Sequence, residues 1–215
     1  MKAIIIGATG ATGKDLLNQL LKDNYFNEVE IFVRRDIPKA SKKLNINIID
    51  FEQTDQWKNL VKGDVLFSCL GTTLKAAGSK NKMWQIDYEY QYKFAKAAKE
   101  NGIETYVLVS ADFSSPKSPF FYAKLKGQLE DAVIKLGFER TIILQPPLLV
   151  RENSRRRAEV IQEKILRFLN SLGILKSQKP LPTEKLAEAM LITTKNLDNG
   201  IHRVKPHVIW QYLIA

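Results

Sequence analysis

The feature that most constrains this chain is a glycine-rich turn that follows a short apolar run. Residues 3–6 read Ala-Ile-Ile-Ile, and Gly7, Gly10 and Gly13 come next at three-residue spacing. An unbroken apolar run is typical of a strand that is buried on both faces. In such a turn the first glycine lets the chain leave the strand, the second lets the backbone approach a ligand, and the third lets the next helix pack closely.

A helix is predicted over residues 14–22, because four leucines between positions 16 and 21 share one face. Its free N–H groups would face the glycine turn, where a helix N-terminus stabilises an anion by about 0.3–1 kcal/mol. A second apolar strand at residues 29–33 completes a βαβ unit, the context in which a glycine triplet indicates a dinucleotide site. The residues predicted to bind the diphosphate are Gly7, Thr9, Gly10, Ala11, Thr12 and Gly13.

Strand-like and helix-like segments continue to alternate along the chain. Strands are predicted at 44–50, 65–70 and 106–110, with a sixth ending near 145; helices are predicted at 54–60, at 81–100 and from about residue 120. In the helix at 81–100, Ile86, Tyr90 and Phe94 share a buried stripe, whereas Asp87 and Gln91 fall on other faces. The alternation predicts an α/β fold, a doubly wound parallel sheet of the Rossmann type, with its ligands at the carboxyl ends of the strands.

Two arginines follow the second strand, where NAD-binding proteins usually place a carboxylate for the ribose hydroxyls. A guanidinium can grip a 2′-phosphate and stack on adenine, so Arg34 and Arg35 favour NADP, although the nearby Asp36 keeps NAD as an alternative. Two further strand ends complete the predicted cofactor site. Asp50 and Phe51 are expected to flank adenine, and Leu70, Gly71 and Thr72 are expected to line the ribose and diphosphate.

Candidate catalytic residues lie on the helix that begins near residue 120. Tyr122 and Lys126 are one turn apart on the same face, so an ammonium there would stabilise a phenolate and let the tyrosine act as an acid or base. Ser110 ends the fifth strand, where its hydroxyl would face the ligand crevice. We predict catalysis by Tyr122, Lys126 and Ser110, and contact of all three with the cofactor.

GATGATG at positions 7–13, CLGTT at 69–73, Ser110 and YAKLK at 122–126 together resemble the short-chain dehydrogenase/reductase superfamily. The chain is most similar to its atypical, NAD(P)H-binding and epimerase-like branch, which includes the Tat-interacting oxidoreductase group and NmrA-like proteins. The resemblance implies a Rossmann fold in which Tyr122 is the general acid or base, a serine orients the carbonyl, and Lys126 assists.

The chain departs from the family pattern in two places. Relatives usually end the fifth strand with two serines, but here Ala111 follows Ser110, so the serine role falls to Ser110, to Ser114 or Ser115, or to no serine. Relatives usually have Arg-Pro-Gly after the sixth strand, whereas this chain has Gln145-Pro146-Pro147. Pro146 keeps the bend beside the nicotinamide, and we predict that Pro146 and Leu148 contact the cofactor.

The bulk composition sets further expectations. With 215 residues and 45% hydrophobic content, the chain is predicted to form one domain over residues 1–215, in which residues 151–215 add a small helical substrate lobe. An amphipathic helix at 158–172 is predicted to pack on the domain, to cover the substrate, or to rest on a membrane. A helix at 183–194 and a late strand at 201–204 follow, and His202 and His207 are read as structural or surface residues.

No secretory signal or membrane-spanning run is visible, so a cytoplasmic location is predicted. Cys69 is the only cysteine, which excludes an internal disulfide, and its strand-end position indicates a buried thiol. We predict no metal site. The net charge of +10 is scattered apart from Arg155, Arg156 and Arg157, which indicates a solvated basic face without a specific nucleic acid partner or membrane association.

Together these patterns predict an NAD(P)-dependent oxidoreductase that moves hydride between nicotinamide and a small carbonyl or alcohol. The alternative is a catalytically weak NADP(H)-sensing regulatory protein, which the Ala111 and Gln145 departures favour. Residues 151–215 form a small region for holding a nucleotide sugar, which argues against a full sugar epimerase.

Overall fold

A seven-stranded parallel sheet forms the centre of the molecule. The computed structural model describes residues 1–150 and 180–214. The strands in these two ranges are β1 (Lys2–Ile6), β2 (Glu28–Val33), β3 (Leu44–Ile48), β4 (Val65–Ser68), β5 (Thr105–Val109), β6 (Arg140–Leu144), β7 (Leu149–Val150), β8 (Leu181–Pro182) and β9 (Gly200–Val204). In space the main sheet runs β3-β2-β1-β4-β5-β6-β9, and β7 pairs with β8 in a separate two-stranded sheet. The predicted doubly wound Rossmann architecture is confirmed.

Helices flank the sheet on both faces. They are α1 (Ala11–Lys22), α2 (Thr54–Trp57), α3 (Leu74–Ala77), α4 (Lys80–Trp84), α5 (Tyr90–Glu100), α6 (Phe121–Ile134), α7 (Thr183–Asn196) and α8 (Pro206–Tyr212). A 3₁₀ turn, Lys58–Leu60, extends α2, and a π-helical segment, Gln85–Glu89, joins α4 to α5. Thr54 is the first residue of α2, and Gln53 holds the capping position.

Alternating side chains on the buried strands divide the core in two. Ile5 of β1 and Val107 of β5 pack on one face, together with α1 and α7, while Ile4 and Leu108 pack on the other face with α5 and α6. Because consecutive strand residues point to opposite faces, a central strand that is apolar throughout contributes to both cores. This accounts for the unbroken Ala-Ile-Ile-Ile run in β1.

The described part of the C-terminal third is continuous with the Rossmann sheet. Strand β9 pairs in parallel with β6, matching Gly200 to Arg140 and Val204 to Leu144, and buried residues of α7 belong to the same core as α1. The predicted late strand is therefore the seventh strand of the main sheet. The predicted helix at 158–172 and the Arg155–Arg157 cluster lie outside the described residues.

The long helix predicted over residues 81–100 is interrupted by a π-helical segment between α4 and α5. The π-helical segment widens the turn between α4 and α5 and moves the following side chains around the axis. Asp87 and Gln91, which were predicted to lie on other faces than the buried stripe, are both fully buried. That prediction was wrong because the buried face is wider than one stripe: Asp87 meets Lys126 of α6, and the Gln91 side chain accepts the Ser68 hydroxyl of β4.

The close packing of the glycine turn against α1 leads to a stability prediction. A Cβ atom at Gly13 would lie 2.2 Å from the Gly7 carbonyl oxygen. We expect Gly13→Ala to lower the free energy of unfolding by about 1–3 kcal/mol, because backbone has to move to relieve the overlap. Urea unfolding measures the change, and Gly71→Ala is the control, since a Cβ there would meet only the Asp87 Oδ1 atom, at 3.4 Å. Equal stability of the two variants would contradict this account.

Candidate functional site

A cleft of about 220 Å³ opens at the carboxyl ends of β1 to β4. Its walls come from the glycine turn, from the residues that follow β2, β3 and β4, and from the segment where the π helix meets α5. The residues that line it are Gly7, Ala8, Thr9, Gly10, Phe32, Val33, Arg34, Phe51, Cys69, Leu70, Gly71, Thr72, Ile86 and Tyr90.

The glycine turn is shaped to receive an anion. Gly7 has a φ of 82°, and a Cβ there would lie 2.5 Å from the Cys69 carbonyl carbon. Gly10 caps α1 without any side-chain hydrogen bond to the first N–H groups of the helix. Those N–H groups and the helix dipole thus remain available to a ligand beside the turn. The residues present fit the diphosphate of a dinucleotide.

Eight of the residues predicted to bind cofactor lie together in this lining, and the others lie outside it. The eight are Gly7, Thr9, Gly10, Arg34, Phe51, Leu70, Gly71 and Thr72. Ala11, Thr12 and Gly13 form the first turn of α1, and Thr12 and Gly13 are buried there. Arg35 and Asp50 are exposed outside the lining, and Asp50 Oδ1 accepts the Glu52 N–H at 2.9 Å. Sequence reasoning missed Ala8, Phe32, Val33, Ile86 and Tyr90, which it treated as strand, turn or core residues.

Lys126 is buried, with an ion partner that the sequence did not reveal. It is 2% exposed, and its Nζ lies 3.7 Å from Asp87 Oδ1 and 3.5 Å from the carbonyl oxygen of Val109, at the end of β5. The same ammonium lies 6.0 Å from the centre of the Tyr122 ring, which is 44% exposed. The predicted Tyr122–Lys126 neighbourhood therefore forms at a strand end, with the lysine inside and the tyrosine facing outward.

Asp87 connects this lysine to the cofactor cleft. Both of its carboxylate oxygens accept the N–H of Thr72, at 3.2 and 3.1 Å, and Thr72 lines the cleft. Burial raises the pKa of the Asp87 carboxyl, while the Lys126 ammonium and the Thr72 N–H act in the opposite direction. Asp87 lies in the π-helical segment, and its one carboxylate contacts both the loop after β4 and the lysine of α6.

Ser110 is held by a second buried carboxylate. The Ser110 and Ser114 hydroxyls both donate to Glu130 Oε1, and Gln145 Nε2 donates to the same carboxylate at 3.0 and 3.1 Å. Ser110, Glu130 and Gln145 are each less than 5% exposed. A hydroxyl whose proton is committed to Glu130 cannot donate that proton to a substrate carbonyl in the same conformation.

The position of Glu130 could have been found from the sequence. Tyr122, Lys126 and Glu130 succeed one another at four-residue spacing, so they share one stripe of α6. Arg203 of β9 lies 3.6 Å from Glu130 Oε2 and supplies a positive charge from the neighbouring strand. Gln145, at the position where relatives usually have arginine, contributes hydrogen bonds to Glu130 but no charge. Pro146 is buried next to it and Leu148 is exposed, and neither lines the cleft.

Cys69 lies in the cleft wall, but its thiol is not activated. Burial raises the pKa of this thiol to about 12, so it stays protonated near neutral pH. Within residues 1–150 and 180–214, no group of three or more His, Cys, Asp and Glu side chains is arranged to hold a metal ion. None of the helices in these two ranges combines the length and apolar character needed to cross a membrane.

The model of a family described as NAD(P)H-binding matches residues 7–167. This chain is a member of the NAD(P)H-binding family. Among the curated relatives are proteins that bear the name FMP52. Protein FMP52-1, mitochondrial, of Scheffersomyces stipitis is 35% identical over 87% of this chain and 85% of its own length. Protein FMP52, mitochondrial, of Meyerozyma guilliermondii is 37% identical over 90% of this chain and 85% of its own length.

Solved structures show the same fold. UDP-glucose 4-epimerase of Thermotoga maritima matches with a TM-score of 0.72 and 11% identity, over 95% of this chain and 76% of its own. MoeE5 in complex with UDP-glucuronic acid and NAD matches with a TM-score of 0.69 and 14% identity, over 95% of this chain and 76% of its own. A short chain dehydrogenase family protein of Francisella tularensis matches with a TM-score of 0.66 and 15% identity, over 98% of this chain and 99% of its own. These neighbours confirm the fold that is expected of an atypical short-chain dehydrogenase/reductase, and the family description supports a nicotinamide dinucleotide as the cofactor.

The predicted cytoplasmic location is wrong in view of these relatives, which are named as mitochondrial proteins. The prediction relied on the absence of an apolar leader. Segments that direct proteins to mitochondria are amphipathic and rich in arginine rather than apolar, so that criterion did not bear on the organelle.

The buried Asp87–Lys126 pair generates a stability prediction. We expect Asp87→Asn and Lys126→Met each to lower the free energy of unfolding by about 3 kcal/mol, because each leaves its partner charged and buried. The double variant should lose clearly less than the sum of the two single losses, as measured by urea unfolding.

The exposed Lys185–Glu188 pair, with an Nζ–Oε2 distance of 2.7 Å, provides the control. Glu188→Gln should change stability by less than about 0.5 kcal/mol, because surface ion pairs contribute little. Strictly additive losses at positions 87 and 126 would show that the two charges do not stabilise one another.

Proposed function

We propose that this protein is an NADP-dependent oxidoreductase that transfers hydride between nicotinamide and a small carbonyl or alcohol, with Tyr122 as the proton donor. The observation that carries the proposal is the connection from the cofactor cleft through Thr72 and Asp87 to the buried Lys126. A lysine held in that position, next to an exposed phenol and connected through Asp87 to the cofactor loop, is what proton transfer at a bound carbonyl requires.

The residues would divide the work as follows. When bound, a dinucleotide would supply or accept hydride. Tyr122 would give a proton to the carbonyl oxygen or take one from the alcohol. Lys126 stabilises the resulting phenolate by its positive charge, and Asp87 keeps the ammonium in place. The glycine turn and the first turn of α1 hold the diphosphate, which fixes the cofactor relative to α6.

Tyr122→Phe provides the central test. We expect it to lower NADPH-dependent reduction of an aldehyde and ketone panel by about 10²–10⁴-fold, because the ring remains but the transferable proton is lost. NADPH affinity, measured by fluorescence titration, should stay the same. Phe121→Leu, one residue earlier on α6, is the control for general disturbance of the helix. Unchanged turnover in Tyr122→Phe would reject Tyr122 as the proton donor.

The preference for NADP is tested by comparing the two adjacent arginines. Arg34 lines the cleft and Arg35 does not, so Arg34→Gln should weaken NADPH binding by about tenfold or more and NADH binding much less. Arg35→Gln is the matched control and should leave both affinities close to those of the wild type. If both cofactors weaken equally in Arg34→Gln, the 2′-phosphate is not the group that Arg34 recognises.

A second candidate function is a protein that binds NADP(H) and regulates a partner while catalysing little. The observation that favours it is the commitment of the Ser110 hydroxyl to Glu130, which leaves the carbonyl without its usual orienting donor. Incubation of the purified protein with NADPH and a carbonyl panel separates the two candidates. Saturable binding without any oxidation of NADPH would support the regulatory protein.

A further inference from the structure

Two aromatic rings line the end of the cleft next to β2 and β3. Phe51 and Tyr90 both line the cleft, and their ring centres lie 5.4 Å apart with an angle of 34° between the ring planes. Arg34 lines the same cleft at the end of β2. In a Rossmann fold the residue that ends the second strand marks the adenosine ribose, so the base belongs at this end.

Tyr90 is fixed in place by hydrogen bonding as well as by packing. Its hydroxyl donates to Glu52 Oε1 at 2.9 Å, and the same oxygen accepts Gln85 Nε2 at 3.1 Å and Lys82 Nζ at 3.4 Å. Glu52 follows β3, whereas its three partners come from the helical segment that runs from α4 to α5. We call Glu52, Lys82, Gln85 and Tyr90 the Glu52 clasp, because one carboxylate ties together two walls of the cleft.

The hydrogen bond from Tyr90 to Glu52 needs a protonated phenol and an ionised carboxylate. Burial raises the pKa of the Tyr90 hydroxyl to about 12, and the Glu52 carboxylate acts in the same direction. The Tyr90 hydrogen bond, followed by the Lys82 ammonium, holds the pKa of the Glu52 carboxyl below its usual value. A phenol donor therefore faces a carboxylate acceptor throughout the neutral pH range.

We propose that the Glu52 clasp holds the Tyr90 ring as a stacking surface for adenine, and that it thereby sets how tightly the protein retains the adenosine half of its dinucleotide. A base gains about 1–3 kcal/mol by stacking on an aromatic side chain. A ring that is already immobile loses little further entropy when the base arrives. The inference deepens the cofactor assignment; it rests on dinucleotide binding by the cleft and not on hydride transfer.

The test compares two tyrosines of the same helix. Tyr90 lines the cleft, whereas Tyr92 stacks with Tyr88 at 6.1 Å and lies outside the cleft lining. Tyr90→Leu should weaken NADPH binding by about tenfold or more and leave binding of reduced nicotinamide mononucleotide, which has no adenosine, within about twofold. Tyr92→Leu should change neither affinity by more than about twofold. Calorimetric titration measures both ligands.

Two further variants distinguish the contribution of the Glu52 clasp to binding from that of the aromatic ring itself. Tyr90→Phe and Glu52→Ala each remove the hydroxyl–carboxylate bond and keep an aromatic ring, so each should weaken NADPH binding less than Tyr90→Leu does. Their effects should not add in the double variant, because both remove the same bond. These two variants carry the test if Tyr90→Leu does not fold, which thermal unfolding reports.

Three results would overturn the proposal. They are wild-type affinity for NADPH in all Tyr90 and Glu52 variants that fold, equal weakening of NADPH and the mononucleotide, and no saturable binding of NADPH or NADH by the wild-type protein. None of these measurements involves turnover, so loss of the oxidoreductase proposal would leave this one standing.

Discussion

The fold depends on two backbone segments packing against each other without side chains between them. At Gly13 the first turn of α1 approaches the turn after β1 so closely that a single methyl group would overlap with backbone atoms, and at Gly7 the same turn approaches the backbone after β4 equally closely. This approach aims the free N–H groups of α1 at the cleft. It also seats α1 against the sheet, where α1 shares a core with α7. The anion site and the packing of the domain therefore have the same origin.

A second constraint joins the cofactor to the candidate chemistry. Asp87 accepts the Thr72 N–H in the cleft wall and lies next to the Lys126 ammonium, and both side chains are almost fully buried. An isolated buried charge is costly, so each group requires the other. The loop that contacts the cofactor and the helix that carries Tyr122 are consequently coupled through one ion pair, and neither can shift far without exposing or separating it.

The departures from the family pattern have a shared structural explanation. Gln145 replaces a cation by a neutral amide, yet it still donates to Glu130, and Arg203 of β9 supplies charge from the other side. The serines at the end of β5 and in the following loop are bound to the same carboxylate. This network stabilises the end of β6 and the loop before α6, and it leaves Tyr122 as the exposed polar group of the Ser110, Tyr122 and Lys126 constellation.

Local patterns were enough to predict the glycine turn, the parallel sheet, the place of Arg34 in the cleft and the proximity of Tyr122 to Lys126. Each of these features depends on residues close together in the chain. The partners that come from distant segments were not predictable in this way. Asp87 meets Lys126 only because the π-helical segment packs against α6, Tyr90 lines the cleft only because α5 packs beside Phe51, and Arg203 meets Glu130 only because β9 pairs with β6. A sequence period describes which residues share a face of one element, whereas the packing of the elements decides what each face meets.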